Sequence, residues 1–359
     1  MCLQKGLSST IPAKEDEEDV NFAVALQSAV LPHKVSCIRW VAEQFGSPQT
    51  FLTSSWDSTD NSVTLWSRFH DAAGEEAVAP EVLAQKYLPG DIIGFEFVDE
   101  QTIACATSEG ALSILAITKD SITEKFSLPN FHSFNNGLVA ACTGISVYDR
   151  NVATIGENGC LNIVSAASAS VLRTIRDNNA CSMCCLSFVK PDTVLVSSRY
   201  GNIDCYDIRR DSDEPVLTLS TKSEDEEELT DTTCISYLPT QNQIVFAGLE
   251  NGSIMGWDLR NPGIFSTQLK PHDSQVNVIK FRKNDPNMMF SATEEGDVYQ
   301  WLLRSEHNHH MDNVFINLVQ SYGPVIENYH AINSIDVSSS HMICSGDEAY
   351  VYVLEIQQE

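Results

Sequence analysis

Long apolar runs are missing from this 359-residue chain. None approaches the ~18 residues a membrane-crossing helix needs, so no membrane insertion is expected. The opening residues, Met1-Cys2-Leu3-Gln4-Lys5-Gly6, soon turn acidic. They hold no apolar core of the kind that drives secretion. Positive charge is scarce. Only 22 Lys and Arg stand against 49 Asp and Glu, a formal net charge of −27. No basic cluster exceeds pairs such as Arg209-Arg210. Such a surface repels phosphate backbones and anionic lipid, so direct nucleic-acid binding is not expected. Basic or neutral protein partners fit better. A disulfide framework is missing too. The 11 cysteines are odd in number, scattered, and mostly set in apolar stretches. They read as free buried thiols in a reducing compartment, cytoplasm or nucleus.

Enzyme signatures are also lacking. There is no phosphate-cradling Walker loop, no G-x-S-x-G elbow and no H-E-x-x-H. The chain therefore reads as non-catalytic, with no cofactor and no small-molecule substrate. An enzyme that collects its residues from distant segments would escape such a scan and stays an alternative.

Helical periodicity is scarce, and short apolar runs broken by turn residues fill the chain instead. One phrase recurs: a turn residue, Gly, then alternating apolar positions ending on a bulky residue. It reads Glu109-Gly110-Ala111-Leu112-Ser113-Ile114-Leu115. It returns from Asn158-Gly159 to Val164, Tyr200-Gly201 to Tyr206, Asn251-Gly252 to Trp257, and Glu295-Gly296 to Trp301. The glycines are spaced by roughly 40–50 residues, the length of a four-stranded propeller blade. A tight turn between antiparallel strands needs a positive φ, which Gly supplies.

Two short strands precede each phrase, as Ile92–Val98 and Thr102–Thr107 do before Gly110. An outer strand follows, as in Val171–Ile175 or Val216–Leu219. A further blade opens the chain with Val35–Val41, Phe51–Ser55 and Ser62–Trp66, around a longer turn from Asp57 to Asn61. Another ends it with Ile332–Val337, Met342–Cys344 and Tyr350–Leu354, and lacks an outer strand. The alternating segment Val20–Leu26 is expected to supply that strand and close the ring. The expected fold is an all-β, seven-bladed propeller of the WD-repeat type over residues 20–359. A flexible acidic extension, residues 1–19, precedes it.

Trp257-Asp258-Leu259-Arg260 and Tyr206-Asp207-Ile208-Arg209 are WD-like strand ends, and Trp66 and Trp301 take the same place without the Asp. These aromatics fill the wedge between blades, a structural role. His272 stands where such repeats bury a His, with Thr293, Glu295 and Trp301 as its expected tether. The Trp257–Arg260 stretch also matches the WDxR box of substrate receptors of cullin-type ubiquitin ligases, which leaves that adaptor role open. Cys181, Cys184 and Cys185, and His307, His309, His310 with Asp312, are incomplete ligand sets. No metal is expected. The acidic runs Glu15–Asp19 and Glu224–Glu228 read as solvated, mobile loops dispensable for folding, or alternatively as lures for basic partners.

Every blade runs in the same direction, so the Gly turns share one rim. That rim presents Asn158, Arg199, Tyr200, Asn251 and Glu295, among others, as candidate partner contacts. Interfaces favour Tyr and Arg anchors, which singles out Arg199 and Tyr200.

Several segments together resemble one family. They include FLTSSWDSTDNSVTLWS (Phe51 to Ser67), NVATIGENGCLNIVSA (Asn151 to Ala166), ENGSIMGWDLR (Glu250 to Arg260) and MICSGDEAYVYV (Met342 to Val353). The chain resembles the forty-three-kilodalton WD-repeat nucleoporins of the Y-shaped scaffold complex of the nuclear pore. The resemblance runs from about Phe22 to the C-terminus. The Ser55-Trp56-Asp57 turn and the Gly346-Asp347-Glu348-Ala349 turn are its best marks. It implies a scaffold subunit at the nuclear envelope, supporting pore assembly and the transport of protein and mRNA. Its implied partners are other scaffold nucleoporins, above all an α-helical short-arm subunit. It also implies kinetochore association in mitosis. The first ~20 residues and the Lys222 to Asp231 loop depart from the family pattern.

Overall fold

The repeated alternation produces a gradient of burial across each blade. Innermost strands mix buried with half-buried residues, and Val35–Trp40 and Val276–Phe281 do so in the same order. Second strands such as Thr102–Thr107 and Met288–Thr293 are buried throughout, because both of their faces meet a neighbouring blade. Outer strands such as Ser170–Arg176 are largely exposed. A computed structural model describes residues 26–41, 49–68, 79–177, 181–199, 201–222, 230–262, 265–282, 284–306, 315–326 and 330–356. Residues 265–268, 304–306 and 315–325 are described by backbone alone.

The described residues form seven four-stranded antiparallel sheets, one per blade, and no helix. Blades 1 to 6 run inside to outside in chain order, beginning at Val35, Ile92, Cys142, Met183, Thr232 and Val276. Blade 7 takes Ile332–Val337, His341–Gly346 and Tyr350–Glu355 from the C-terminal end and its outer strand from the N-terminal end. The closing strand is Leu26–Val30, paired antiparallel from Leu26↔Leu354 to Val30↔Tyr350. The expected partner strand is therefore correct, but the closing segment lies further along the chain than Val20–Leu26. Residues 20–25 and both acidic runs fall outside the described residues. The alternation that suggested Val20–Leu26 continues through Leu26–Val30, and strand periodicity does not say where pairing begins.

There is no single core. The seven apolar clusters each straddle a junction between neighbouring blades. Trp257, for example, lies between blades 4 and 5, and Trp66 between blades 7 and 1. Two backbone devices repeat in all seven blades. Every inner strand carries a bulge at its start, as between Val35 and Cys37 or Ile332 and Ser334. Each second strand ends in an N–H bond to the carbonyl of the loop entering its own blade. These pairs are Trp56–Lys34, Ser108–Asp91, Glu157–Ala141, Arg199–Ser182, Glu250–Asp231, Glu294–Gln275 and Asp347–Ala331, at 2.8–3.3 Å. They bind the Gly turns and the inter-blade loops into one face, called the turn face below.

The glycine phrase behaves as its residues demand. Gly110, Gly159, Gly201, Gly252 and Gly296 all have positive φ. In each, the N–H bonds the carbonyl three residues back, for example Gly252 to Leu249 at 3.1 Å. Ala349 takes the same conformation in blade 7, with φ 58°. Gly346 is needed for another reason: a Cβ there would collide with the Ala331 carbonyl.

Candidate protein-interaction face

The tethers beneath the turn face show which polar residues are already committed. His272 is buried, and its Nε2 is 2.8 Å from Ser291 Oγ. Trp301 Nε1 donates to the same Oγ at 2.9 Å. Ser291 therefore bridges His to Trp, where the sequence pointed to Thr293 and Glu295. Thr293 Oγ1 instead accepts the Asp297 N–H at 3.0 Å, and Glu295 is exposed. The reason is strand parity: Ser291 lies directly opposite Tyr299 and on the same side of the strand as Thr293, but one pair deeper towards Trp301. Burial lowers the His272 pKa to about 4, so the ring is neutral at neutral pH.

A second tether escaped sequence reading. His132 is fully buried, 2.9 Å from Thr154 Oγ1 and 3.1 Å from Asn158 Oδ1. Val164 stands where blade 6 has Trp301, which hides the repeat. The available signal was a lone His shortly before an inner strand, as at His272. A Cβ at Gly156 would press on the His132 ring, so Gly is required there.

Other strand-end residues are buried or paired. Trp66 Nε1 donates to Thr53 Oγ1 at 2.8 Å. Tyr206 and Trp257 are buried in their junctions. Asp258 holds Arg260 through three side-chain hydrogen bonds, the shortest 2.6 Å, and Asp207 holds Arg209 through two, the shorter 2.8 Å. The Arg209 hydrogen bonds draw the Asp207 pKa down to about 2.

Of the expected contact residues, Arg199, Asn158, Asn251 and Glu295 lie on the turn face, and Tyr200 falls outside the described residues. Arg199 and Glu295 are exposed. Asn158 is committed inward: its Oδ1 meets His132 and its Nδ2 donates to the Ser133 carbonyl at 3.0 Å. Asn251 Oδ1 accepts the Ser253 N–H at 3.0 Å. The two asparagines thus shape their turns, and the exposed charges face outward. Exposed Asp57, Glu109, Glu157, Glu250, Glu294 and Glu295 give this face its sign, against few exposed cations such as Arg199, Lys222 and Lys270. The opposite face mixes signs, with Lys119, Arg150, Lys190, Arg209 and Arg260 among its carboxylates.

The central channel encloses about 410 Å³ and is lined by the inner strands. Its charges answer one another. Arg39 binds Glu96 at 2.6 Å, and Lys280 approaches the same carboxylate at 3.8 Å. Its thiols are held protonated by burial, Cys234 pushed up to about 11 and Cys185 well above its ordinary value. A protonated thiol is a poor nucleophile and a poor metal ligand. Cys181, Cys184 and Cys185 are free. No group of three or more potential ligands among the described residues is placed to hold a metal ion. The His307, His309, His310 set lies outside them.

No protein-family model matches the chain. Over 285 residues it is 25% identical to the nucleoporin Nup43 of Homo sapiens, covering 75% of this chain and 73% of that protein. The Nup43 of Mus musculus matches to the same degree over 282 residues. The nuclear pore complex protein nup43 of Dictyostelium discoideum is 26% identical over 163 residues, 44% of this chain and 36% of that protein. The chain is thus a propeller similar to WD-repeat nucleoporins across distant organisms, as its sequence segments suggested.

Proposed function

We propose that this Nup43-like propeller is a non-catalytic scaffold subunit of the nuclear pore. In this reading it sits in the Y-shaped subcomplex beside an α-helical short-arm subunit, at the nuclear envelope. The observation that carries the reading is the similarity to Nup43 over three quarters of the chain, in a protein with a seven-bladed fold. The chemistry agrees with it. Channel charges are paired internally and channel thiols are protonated, so the described channel offers no poised nucleophile. Binding then falls to a face, and the turn face has the one-sided charge that selects partners. Arg199 and Tyr200 remain the contacts proposed from the sequence.

Affinity purification of the tagged chain with mass spectrometry tests this. Stoichiometric scaffold nucleoporins are expected. Recovery of a cullin adaptor in their place would establish the ubiquitin-ligase reading and overturn this one. The Asp258–Arg260 pairing argues against that alternative, because the Arg260 guanidinium is already engaged. Kinetochore association rests on the resemblance alone, and imaging of the tagged chain in mitotic cells tests it. Arg199→Glu with Tyr200→Ala is expected to weaken scaffold binding without altering the melting transition.

A further inference from the structure

The loop entering blade 3 is unlike the others on the turn face. Between the outer strand Ile122–Leu128 and the inner strand Cys142–Tyr148 it folds into a small hairpin, bridged at Ser133↔Val139. Its tip is Asn135-Asn136-Gly137, with Gly137 at φ 82°. The tip exposes three large apolar side chains: Phe134 at 38%, Leu138 at 64% and Val139 at 40%. The other large apolar residues exposed among the described residues lie on or beside outer strands, at the perimeter: Val30, Val82, Leu83, Tyr87, Val171, Leu172 and Val216. Among the described residues, this hairpin is the apolar prominence of the turn-face loops.

That prominence is held firmly. His132 N donates to the Gly110 carbonyl at 2.9 Å, and Ala140 N to the His132 carbonyl at 3.2 Å. Asn158 Nδ2 holds the Ser133 carbonyl, and the buried His132 ring pins the base. Within the hairpin, Phe134 N donates to the Leu138 carbonyl and Gly137 N to the Phe134 carbonyl, both at 2.9 Å. With a single bridge, the hairpin is too short to template an added strand, and what it offers a partner is its side chains. A rigid apolar anchor loses little freedom on binding.

The surroundings choose the partner's charge. The hairpin and the two Gly turns beside it contain no Lys or Arg and carry Glu109 and Glu157, both exposed. We propose that the Phe134–Leu138–Val139 tip is the apolar anchor of the docking face. Its occupant is an amphipathic helix of a scaffold partner, with an apolar stripe flanked by Lys and Arg. This deepens the scaffold reading above and rests on it. The apolar stripe covers the tip, and the flanking cations meet the Glu109 and Glu157 rim.

Two experiments on the full chain decide the matter. In the first, a photo-crosslinking amino acid replaces Asn136, and cross-linked peptides are sequenced from the assembled complex. The expected peptide comes from a scaffold nucleoporin, is helical and amphipathic, and carries net positive charge. A peptide that is acidic, or one from a second copy of this chain, overturns the proposal. So does an intact complex without cross-links. In the second, Phe134→Ala with Leu138→Glu is compared with Leu172→Glu on the perimeter. The tip variant is expected to lose about tenfold or more in affinity for the purified scaffold partner at unchanged melting temperature. The perimeter variant is expected to bind normally. Wild-type binding by the tip variant would sink this inference and leave the scaffold reading standing. A wild-type chain that recovers no scaffold nucleoporin would sink both.

Discussion

The junction between blades 7 and 1 and the junction between blades 2 and 3 solve the same packing problem by different means. At the first, the inner strands are laced by side chains. Asn333 Nδ2 donates to the Val35 carbonyl at 3.0 Å, Ser334 Oγ accepts the Ile38 N–H at 3.1 Å, and Asp336 Oδ2 accepts the Trp40 N–H at 2.8 Å. Trp40, Phe51 and Trp66 fill the wedge behind them. At the second, the bulged residue is Ile93, which donates nothing, and the fully buried cluster is Ala104, Leu112, Ile114, Val152 and Val164. Here the His132 loop on the turn face supplies the polar pin. The connecting segments differ as well. Blade 7 takes its outer strand from the N-terminal end of the chain, and only residues 31–34 link that strand to the inner strand of blade 1. Blades 2 and 3 are joined by their own loop, which is free to carry an extra hairpin.

The bulge lock itself recurs around part of the ring. Ser36 Oγ donates to the Ile92 carbonyl at 2.5 Å, and Asn277 Nδ2 to the Ile332 carbonyl at 3.2 Å. Thr233 Oγ1 bonds the Val276 carbonyl. With Asn333, these serve the junctions 1–2, 5–6, 6–7 and 7–1. At junction 3–4 the equivalent Thr143 Oγ1 is buried without a partner.

The largest effect should come from the closing strand. Deleting the chain through Val30 removes the pairing with Tyr350–Glu355 and exposes a strand edge. Loss of a cooperative melt is expected by circular dichroism, with aggregation. A sharp transition near the wild-type temperature would show that the lacing alone closes the ring. Next in size, Asp336→Ala orphans the buried Trp40 N–H and should cost about 1–3 kcal/mol in denaturant unfolding. Asn333→Ala should cost about 1 kcal/mol. Ile93→Ala at the other junction removes no hydrogen bond. If Asp336→Ala cost no more than Ile93→Ala, the contrast between the junctions would collapse.

Acid should then separate them in another way. Burial lowers the pKa of His132, and that of His272 to about 4. Burial favours the neutral ring in both, so this stability is fully present above the unfolded value of ~6.5. It is lost as pH falls below that value, for His272 towards about 4. Hydrogen exchange at residues 131–141 should accelerate as pH falls below ~6.5, and His132→Gln should flatten the dependence. Exchange unaffected by pH, after correction for intrinsic rates, would mean that His132 does not pin the loop. The smallest effect concerns Thr143. Thr143→Val removes an unpartnered buried hydroxyl and should change stability by no more than about 0.5 kcal/mol, towards gain. A loss of several times that would reveal a partner for the hydroxyl.

Much of the architecture was legible because strand periodicity and positive-φ turns are local. Thr102–Thr107 and Ile332–Val337 match their expected bounds residue for residue. The face was less legible. His132 went unread because Val164 replaces the expected Trp, and Asn158 looked outward until its bond to His132 turned it inward. The Phe134–Val139 tip has the composition of an ordinary loop, and its exposure depends on what surrounds it.

By itself, the sequence determined the blade count, the turn positions and the acidic character, since each depends on residues close together or on composition alone. Only the tertiary structure decided that Leu26–Val30 closes the ring, that Ser291 bridges His272 to Trp301, and that one junction is laced while another is pinned. Those outcomes depend on register and on pairs such as Asn333 with Val35, which are brought together from opposite ends of the chain. Register between distant strands is set by packing of whole blades, and no local pattern encodes it.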